Sequence, residues 1–420
     1  MNNNIYKEDW VECELGEVVK TTSGGTPSRR NPDYYNGTIP WVKSGELDKG
    51  LITDTEEKIT EEAIRNSSAK IFPKGTLLIA LYGATIGKLA FLGIEASTNQ
   101  AVCGIYKNEN IDLKFLYYFL LFKRPKLVEQ GIGGAQPNIS QTILKNLILP
   151  LPPLPIQHAI VKKIEELFSS LDSGIADLKK AQEQLKVYRQ AVLKKAFEGE
   201  WEDTTIGELF DFKGGGTPSK KEDDYWNGNI AWASVKDIKG DYLNNTVDYI
   251  TDKGLENSSS NLAKKGQVIL ITRISPGKSI ITNIDVAINQ DLKIIIPKIK
   301  ISNKFTQYLF KSIEENILKL SSGTTVKGIN LNNLNSITIP SISIEEQHQI
   351  VKEIESRLSV CDAVEKNISE SLEKAESLRQ SILKKAFDGT LLTPQEIEQC
   401  KQHPGYEPAS KLLERIRNKE

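Results

Sequence analysis

A text of about 190 residues is written twice in this 420-residue chain, and any fold it adopts has to accommodate both copies. Gly16-Glu17 recurs as Gly207-Glu208, and Gly24-Gly25-Thr26-Pro27-Ser28-Arg29-Arg30 as Gly215-Gly216-Thr217-Pro218-Ser219-Lys220-Lys221. Tyr34-Tyr35-Asn36-Gly37 recurs as Tyr225-Trp226-Asn227-Gly228, and Trp41 as Trp232. The offset is 191 until one residue is lost after Gly75 and Gly266; Gly87-Lys88, Asn99-Gln100 and Gln157-His158 then recur at 190. Arg189-Gln190-Ala191-Val192-Leu193-Lys194-Lys195-Ala196-Phe197 and Arg379-Gln380-Ser381-Ile382-Leu383-Lys384-Lys385-Ala386-Phe387 close the two copies. The period is far too long for a solenoid repeat. It describes a duplicated unit of one globular module and one long helix.

Within each module, Asn36-Gly37 and Asn227-Gly228 read as turn signals. Thr76–Leu81 and Gln267–Thr272 are short apolar runs, expected to be buried strands. Helices are expected over 114–127 and 304–320, and a last strand around Leu147-Ile148-Leu149 and Ile337-Thr338-Ile339. After each module the pattern changes. Pro155 suits a first helical turn, and Ser343 with Glu346 fits a capping box. Apolar residues then follow a narrow seam, Ile160, Ile164, Leu167, Leu171, Ile175, Leu178, Leu185, Val192 in one copy. The other seam is Ile350, Ile354, Leu358, Cys361, Ile368, Leu372, Ala375, Ile382. Roughly 40 helical residues reach about 60 Å, and a lone helix with one apolar stripe needs a partner. Each of the two supplies the other's. The class is α+β, with two similar strand-rich α/β modules joined by two long helices in an antiparallel coiled coil and related by the internal repeat.

Charge is dense but balanced, 54 Lys and Arg against 55 Asp and Glu. That argues against a stand-alone, high-affinity nucleic-acid binder while leaving room for a local basic groove. Cys13, Cys103, Cys361 and Cys400 form no CxxC pair, which suggests free thiols in a reducing cytoplasm. Neither a signal core nor an apolar run long enough for a membrane span is present, so no membrane partner is expected.

Catalytic motifs fail when read against the repeat. Asn31-Pro32-Asp33-Tyr34 resembles an amino-methyltransferase tetrapeptide, but its counterpart Glu222-Asp223-Asp224-Tyr225 lacks Asn-Pro. Gly83–Leu89 is one residue short of a phosphate-binding loop and lacks its final hydroxyl. Pro32-Asp33 with Glu56-Glu57-Lys58 suggests a nuclease set, yet Val247 and Tyr249 replace Glu56 and Lys58. His158 and His348, at helix starts, suit solvated or capping roles. The chain is expected to be no enzyme, with neither metal nor cofactor of its own.

The loops suit nucleic acid better. Thr26, Ser28, Arg29 and Arg30, with Thr217, Ser219, Lys220 and Lys221, combine hydroxyls, free amides and cations that can approach phosphates. A tight structural turn with a solvated basic end is the alternative. Lys43, Ser44, Ser234 and Lys236 follow a strand ending in tryptophan. Tyr82, Lys88, Arg273, Ser275 and Lys278 follow another. Gln136, Thr325 and Lys327 lie in polar loops. Arg and Lys can contact guanine or phosphate, and Asn99, Gln100, Asn289 or Gln290 could pair with adenine. Framework residues match between copies while loop tips differ, Tyr82 against Arg273, Lys43 against Ser234, Gln136 against Thr325. Two similar scaffolds with different tips would read two different short sequences.

The Gly-Gly-Thr-Pro-Ser loop, the Ile-x-Trp strand, the Gly-Lys…Asn-Gln block, the proline step into Gln-His and the Lys-Lys-Ala-Phe end, in this order twice, resemble specificity subunits of type I restriction-modification systems. The resemblance covers essentially the whole chain. It implies target-recognition domains at 1–150 and 201–340, spacer helices at 151–200 and 341–393, and a tail at 394–420. Each recognition domain would read half of a split site in double-stranded DNA. The helices would set the gap and dock two methyltransferase subunits, and motor-nuclease subunits would join for cleavage. S-adenosylmethionine, ATP and magnesium would belong to those partners. The tail, with an amphipathic 407–416 stretch, resembles a methyltransferase-docking or ring-closing helix, or else decorates the surface. Rival readings are a self-contained nuclease or methyltransferase, and a scaffold that sequesters methyltransferase subunits without reading DNA.

Overall fold

The computed structural model describes Lys7 and residues 9–131, 138–323 and 326–418. The chain divides into two compact units, Met1–Ala176 with Ser371–Glu420, and Asp177–Glu370. Two long helices, Leu154–Ala196 and Ile344–Phe387, are each divided between the units.

In the first unit, a five-stranded sheet runs in the order Thr21–Ser23, Val102–Ile105, Leu77–Ala80, Leu89–Leu92, Leu51–Ile52. A four-stranded sheet runs Glu57–Ile59, Tyr35–Val42, Ala96–Thr98, Ile71–Phe72. Val11–Glu14 pairs with Ile148–Leu151 at the step into the long helix. The second unit repeats this order with Phe210–Gly214, Leu292–Pro297, Val268–Ile271, Ser279–Thr282 and Tyr242–Leu243. Its four-stranded sheet is Asp248–Ile250, Trp226–Ala233, Val286–Ile288, Asn261–Ala263, and Glu202–Thr205 pairs with Thr338–Ser341. The repeat in the text is therefore a repeat in topology.

The apolar runs are central strands because both their faces are covered. Leu77 and Ile79 pack into the core beneath the helices, while the alternating Leu78 and Ala80 pack into the core between the sheets. Val268 and Leu270 against Ile269 and Ile271 divide in the same way. A strand has a side-chain period of two, so a run of four apolar residues is what two cores demand.

Asn36-Gly37 and Asn227-Gly228 are not turns between strands. Both lie inside strands, Tyr35–Val42 and Trp226–Ala233, where the register slips. Asn36 and Asn227 take φ of 60° and 59°. A Cβ on Gly37 would lie 2.2 Å from the Ile59 carbonyl oxygen. The same dipeptide that favours a left-handed turn here builds a bulge, because the partner strand presses against it. The expected helix at 304–320 is broken into Asn303–Ser312 and Glu314–Lys319, whereas Leu113–Gly131 is continuous.

Each unit contains its own stretch of helix pairing. In the first, Arg379 reaches Asp172 and its guanidinium lies 5.0 Å from the Phe168 ring centre. Ile164 shares a core there with Ile382, Leu383, Ala386 and Phe387. In the second, Arg189 holds Asp362 at 2.6 Å and Glu365 at 2.9 Å, and Leu193 shares a core with Ile350 and Ile354. Both pairings are antiparallel. The arginine of each repeated Arg-Gln terminus thus meets the same aspartate of the opposite copy. Ser343 and Glu346 make the expected capping box, with the Ser343 hydroxyl 2.6 Å from the carboxylate.

The tail belongs to the first unit. Leu392 and, from the helix Ala409–Arg417, Leu412, Leu413 and Ile416 are buried in the same core as Cys13 of the N-terminal strand, with Ile397 of the helix Pro394–Lys401 packed against it. Tyr406 donates to Asp9 at 2.5 Å, Lys163 to Glu396 at 2.9 Å and Arg417 to Glu17 at 2.6 Å. Among the described residues, no helix is long and apolar enough to cross a membrane.

Candidate nucleic-acid interface

The site residues are best followed outward from Trp41 and Trp232, which are 2% and 5% exposed. Each ring nitrogen donates to a carbonyl in the glycine loop, Trp41 Nε1 to Gly25 and Trp232 Nε1 to Gly216, both at 3.1 Å. The glycines answer to protein packing. A Cβ on Gly24 would meet the Thr98 carbonyl oxygen at 2.4 Å, and one on Gly215 the Ile288 oxygen at 2.1 Å. The double glycine lets the loop lie against a strand end, so the structural-turn reading explains Gly-Gly.

Those side chains are organised alike in both units. Thr26 Oγ1 donates to Gln100, and Thr217 Oγ1 to Gln290 at 2.6 Å, joining the glycine loop to the Asn-Gln loop. Asn289 is buried and locked to Asp291, its amide 3.1 Å from the carboxylate, so it is no free reader of adenine. Ser28 and Ser219 are exposed, and their hydroxyls accept from the amides of Arg30 and Lys221 at 3.4 and 3.3 Å. Buried Glu46 and Asp237 accept from the amides of Lys43 and Ser234, both at 2.9 Å, and so shape the turns that carry Ser44 and Lys236.

Several of the expected cations are held by carboxylates, Glu56 and Glu57 of the discarded nuclease set among them. Arg29 lies 2.7 Å from Glu57 and stacks on Tyr35, with 4.3 Å to the ring centre. Lys43 reaches Glu56 at 2.8 Å and Glu57 at 3.1 Å. The Arg29 guanidinium holds the Glu57 carboxyl below its ordinary range, and Glu56 raises the Lys43 ammonium. Asp248 stands where Glu57 stands in the first copy, and Lys236 reaches it at 2.7 Å from a different chain position than Lys43. Lys88 reaches Asp48 at 2.5 Å, and Arg273 reaches Asp291 at 3.2 Å. Solvated pairs of this kind are weak and exchange readily for phosphate. Arg30, Lys220, Lys221, Lys278 and Lys327 make no ion pair with a described residue.

The strand-end turns differ. Tyr82 is 42% exposed and bridges to Asn138; at the matching place Arg273 bridges to Gly328. In the second unit, contacts run without a break from Thr217 through Gln290 and Asp291 to Arg273, which bridges to Gly328 beside Lys327. Thr217, Arg273, Ser275 and Lys327 are therefore one cluster. Lys278 lies at the far side of its turn, toward Glu314, whose carboxyl is raised chiefly by burial. Gln136 and Thr325 lie outside the described residues.

A family profile described as the type I restriction modification DNA specificity domain matches this chain twice, over residues 7–183 and 198–374. The specificity subunit of the type I restriction enzyme EcoR124I/EcoR124II from Escherichia coli is 30% identical over 390 residues, covering 89% of this chain and 92% of that one. A chain from a structural study of the assembly and conformational transition of the type I R-M system superposes with a TM-score of 0.70, over 91% of this chain and 98% of its own, at 21% identity. The HsdS subunit from Thermoanaerobacter tengcongensis gives 0.60 over 93% and 100%, at 22% identity. These two likenesses support the fold, and the twofold profile match with the E. coli relative establishes the kinship. The chain belongs to the family of type I restriction-modification specificity subunits, with two DNA specificity domains in tandem.

Proposed function

We propose that this chain reads a bipartite duplex DNA site, one half with each module, and does no chemistry itself. One observation carries the reading: two modules of identical strand order present the same loop framework with different tips, Tyr82 and Gly83 against Arg273 and Ile274. A matched framework with divergent tips suits two different half-sites. The paired helices serve as the spacer and as the docking surface for two methyltransferase subunits in the cytoplasm. Those subunits bring S-adenosylmethionine, and motor-nuclease subunits bring ATP and magnesium. Balanced overall charge accords with a subunit whose partners share the work of holding DNA.

Footprinting of the reconstituted complex with its methyltransferase subunits tests this. Two protected patches separated by an unread gap are expected. A single continuous patch, or protection indifferent to sequence, would overturn it. Incubating the chain alone with DNA, S-adenosylmethionine, ATP and magnesium separates it from the enzyme reading, since turnover there contradicts a purely recognitional role.

A further inference from the structure

The residue lost between the two copies falls in the turn after the central strand. The Ala80 amide donates to the Lys88 carbonyl at 2.9 Å and the Ile271 amide to the Lys278 carbonyl at 2.8 Å, so the turns share their endpoints. The first copy spans them with a 3₁₀ turn at Gly83–Thr85, where Gly83 has φ +64°. The second, one residue shorter, closes a tighter turn in which the Ser275 amide donates back to the Arg273 carbonyl at 2.9 Å. Its central residue is Ile274, at φ +75°. Tyr82 with Asn138 and Arg273 with Gly328 form the same bridge, so Ile274 stands where Gly83 stands.

A β-branched residue at positive φ is an outlier with a cost, and glycine would take the position free of it. Packing does not explain the isoleucine, because it is 55% exposed. The turn is held rigidly instead. The Ile274 amide donates to the Lys327 carbonyl at 2.8 Å, and Ser322 and Gly328 exchange two bonds of 2.9 Å beside it. Val326, 43% exposed, lies in that neighbouring loop. An apolar side chain is thus fixed in a strained, solvent-facing pose, next in the chain to Arg273 and tied through its amide to the backbone of Lys327. Strain of this kind persists where the surrounding structure imposes it, and it clusters at functional sites.

We infer that Ile274 is a specificity residue that recognises the C5-methyl group of a thymine in the major groove. Among base edges only thymine offers an apolar group there, and the flanking cations suit its phosphates. The inference rests on the reading that this module binds DNA.

The test uses the assembled complex after its site has been mapped by methylome sequencing. Ile274→Gly adopts the backbone of Gly83 and is expected to melt at the same or a higher temperature. Replacing each thymine of the second module's half-site in turn by deoxyuridine removes one methyl. One such position should weaken wild-type binding by about fourfold, the worth of one buried methyl group. The Ile274→Gly complex should bind less tightly and be indifferent to that replacement. Ile274→Asn, which tolerates positive φ but is polar, should behave like Ile274→Gly. Unchanged binding by Ile274→Gly, equal uracil sensitivity in variant and wild type, a half-site without thymine, or a clear drop in melting temperature would each overturn the assignment. Absence of any sequence-specific site in the wild-type complex would instead defeat the DNA-reading proposal on which it depends.

Discussion

The two modules share a skeleton and differ at what the skeleton carries. Trp41 and Trp232 hold the glycine loop through the same bond at the same distance, and Thr26 and Thr217 reach equivalent glutamines, Gln100 and Gln290. Around that constant frame the charge is rearranged. The first module concentrates Arg29 and Lys43 on Glu57, with an aromatic ring under the guanidinium. The second brings Lys236 to Asp248 and leaves Lys220 without a described ion-pair partner. The constant frame is anchored on a buried tryptophan, and the cations that vary around it are exposed or half-exposed. Duplication followed by divergence of exposed tips can change what is read without disturbing how the reader folds.

Removing the shared element should produce the largest effects. Trp41→Ala and Trp232→Ala each delete a buried indole and its bond to the loop, and each should cost about 3–5 kcal/mol in chemical unfolding. A large inequality between them would break the equivalence of the modules. Next come the differing cations. Arg29→Ala and Lys220→Ala should each weaken DNA binding by the complex and lower the slope of affinity against salt by about 1. Only Arg29→Ala should also destabilise the protein, by about 0.5–1 kcal/mol, because only Arg29 stacks on an aromatic ring. Equal stability of the two variants would show that the stack contributes nothing. Deleting one heptad from both long helices should leave both half-sites unchanged and shorten the preferred gap by roughly 3 bp, if a loss of about 10 Å maps onto base-pair steps of 3.4 Å. Methylome sequencing of the variant reads this directly, and an unaltered gap would refute the spacer.

The smallest effect concerns the tail, which the first unit has and the second lacks. The Glu396 carboxyl accepts the Thr393 amide and the Lys163 ammonium, and these bonds depress it to about 2. A group depressed on folding contributes stability above its ordinary range and loses it as pH falls toward the folded value. Tail docking should therefore hold at neutral pH and loosen between about pH 4.5 and 2. Hydrogen exchange of residues 394–401 measures this, and Glu396→Gln should show the looser exchange already at pH 7. Protection factors, corrected for the intrinsic pH dependence of amide exchange, that stay constant in this window would mean that the apolar contacts alone seat the helix.

Much of this was legible in the text. The duplication, the coiled-coil seams, the two-faced central strands and the Ser343 capping box follow from local periodicity, which sequence displays directly. The bulge at Asn36-Gly37 was not, because a turn dipeptide becomes a bulge only when a partner strand lies against it. Nor were the partners of the cations. Glu57, Asp48 and Asp291 meet Arg29, Lys88 and Arg273 through contacts distant along the chain. The offset itself held a clue, since an acid is kept at Glu57 and Asp248 while its neighbours change. Ile274 gave no sign in its own right, and only the missing residue near it hinted at a different turn. The amphipathic stretch near 407–416 announced a face to be buried without saying where.

That the first unit is assembled from both ends of the chain has a consequence for the order in which the protein is made. The second unit, 177–370, is one unbroken segment and can fold as soon as it has been synthesised. The first unit is begun earlier but cannot be finished. Ile156, Ile160 and Ile164 share their core with Ile382, Leu383, Ala386 and Phe387, which are translated more than 200 residues later. Until then the nascent chain carries an uncovered apolar face past a folded neighbour, a state that favours chaperones and penalises truncation. A ribosome that stops short of residue 371 leaves the module made first as the one that cannot close.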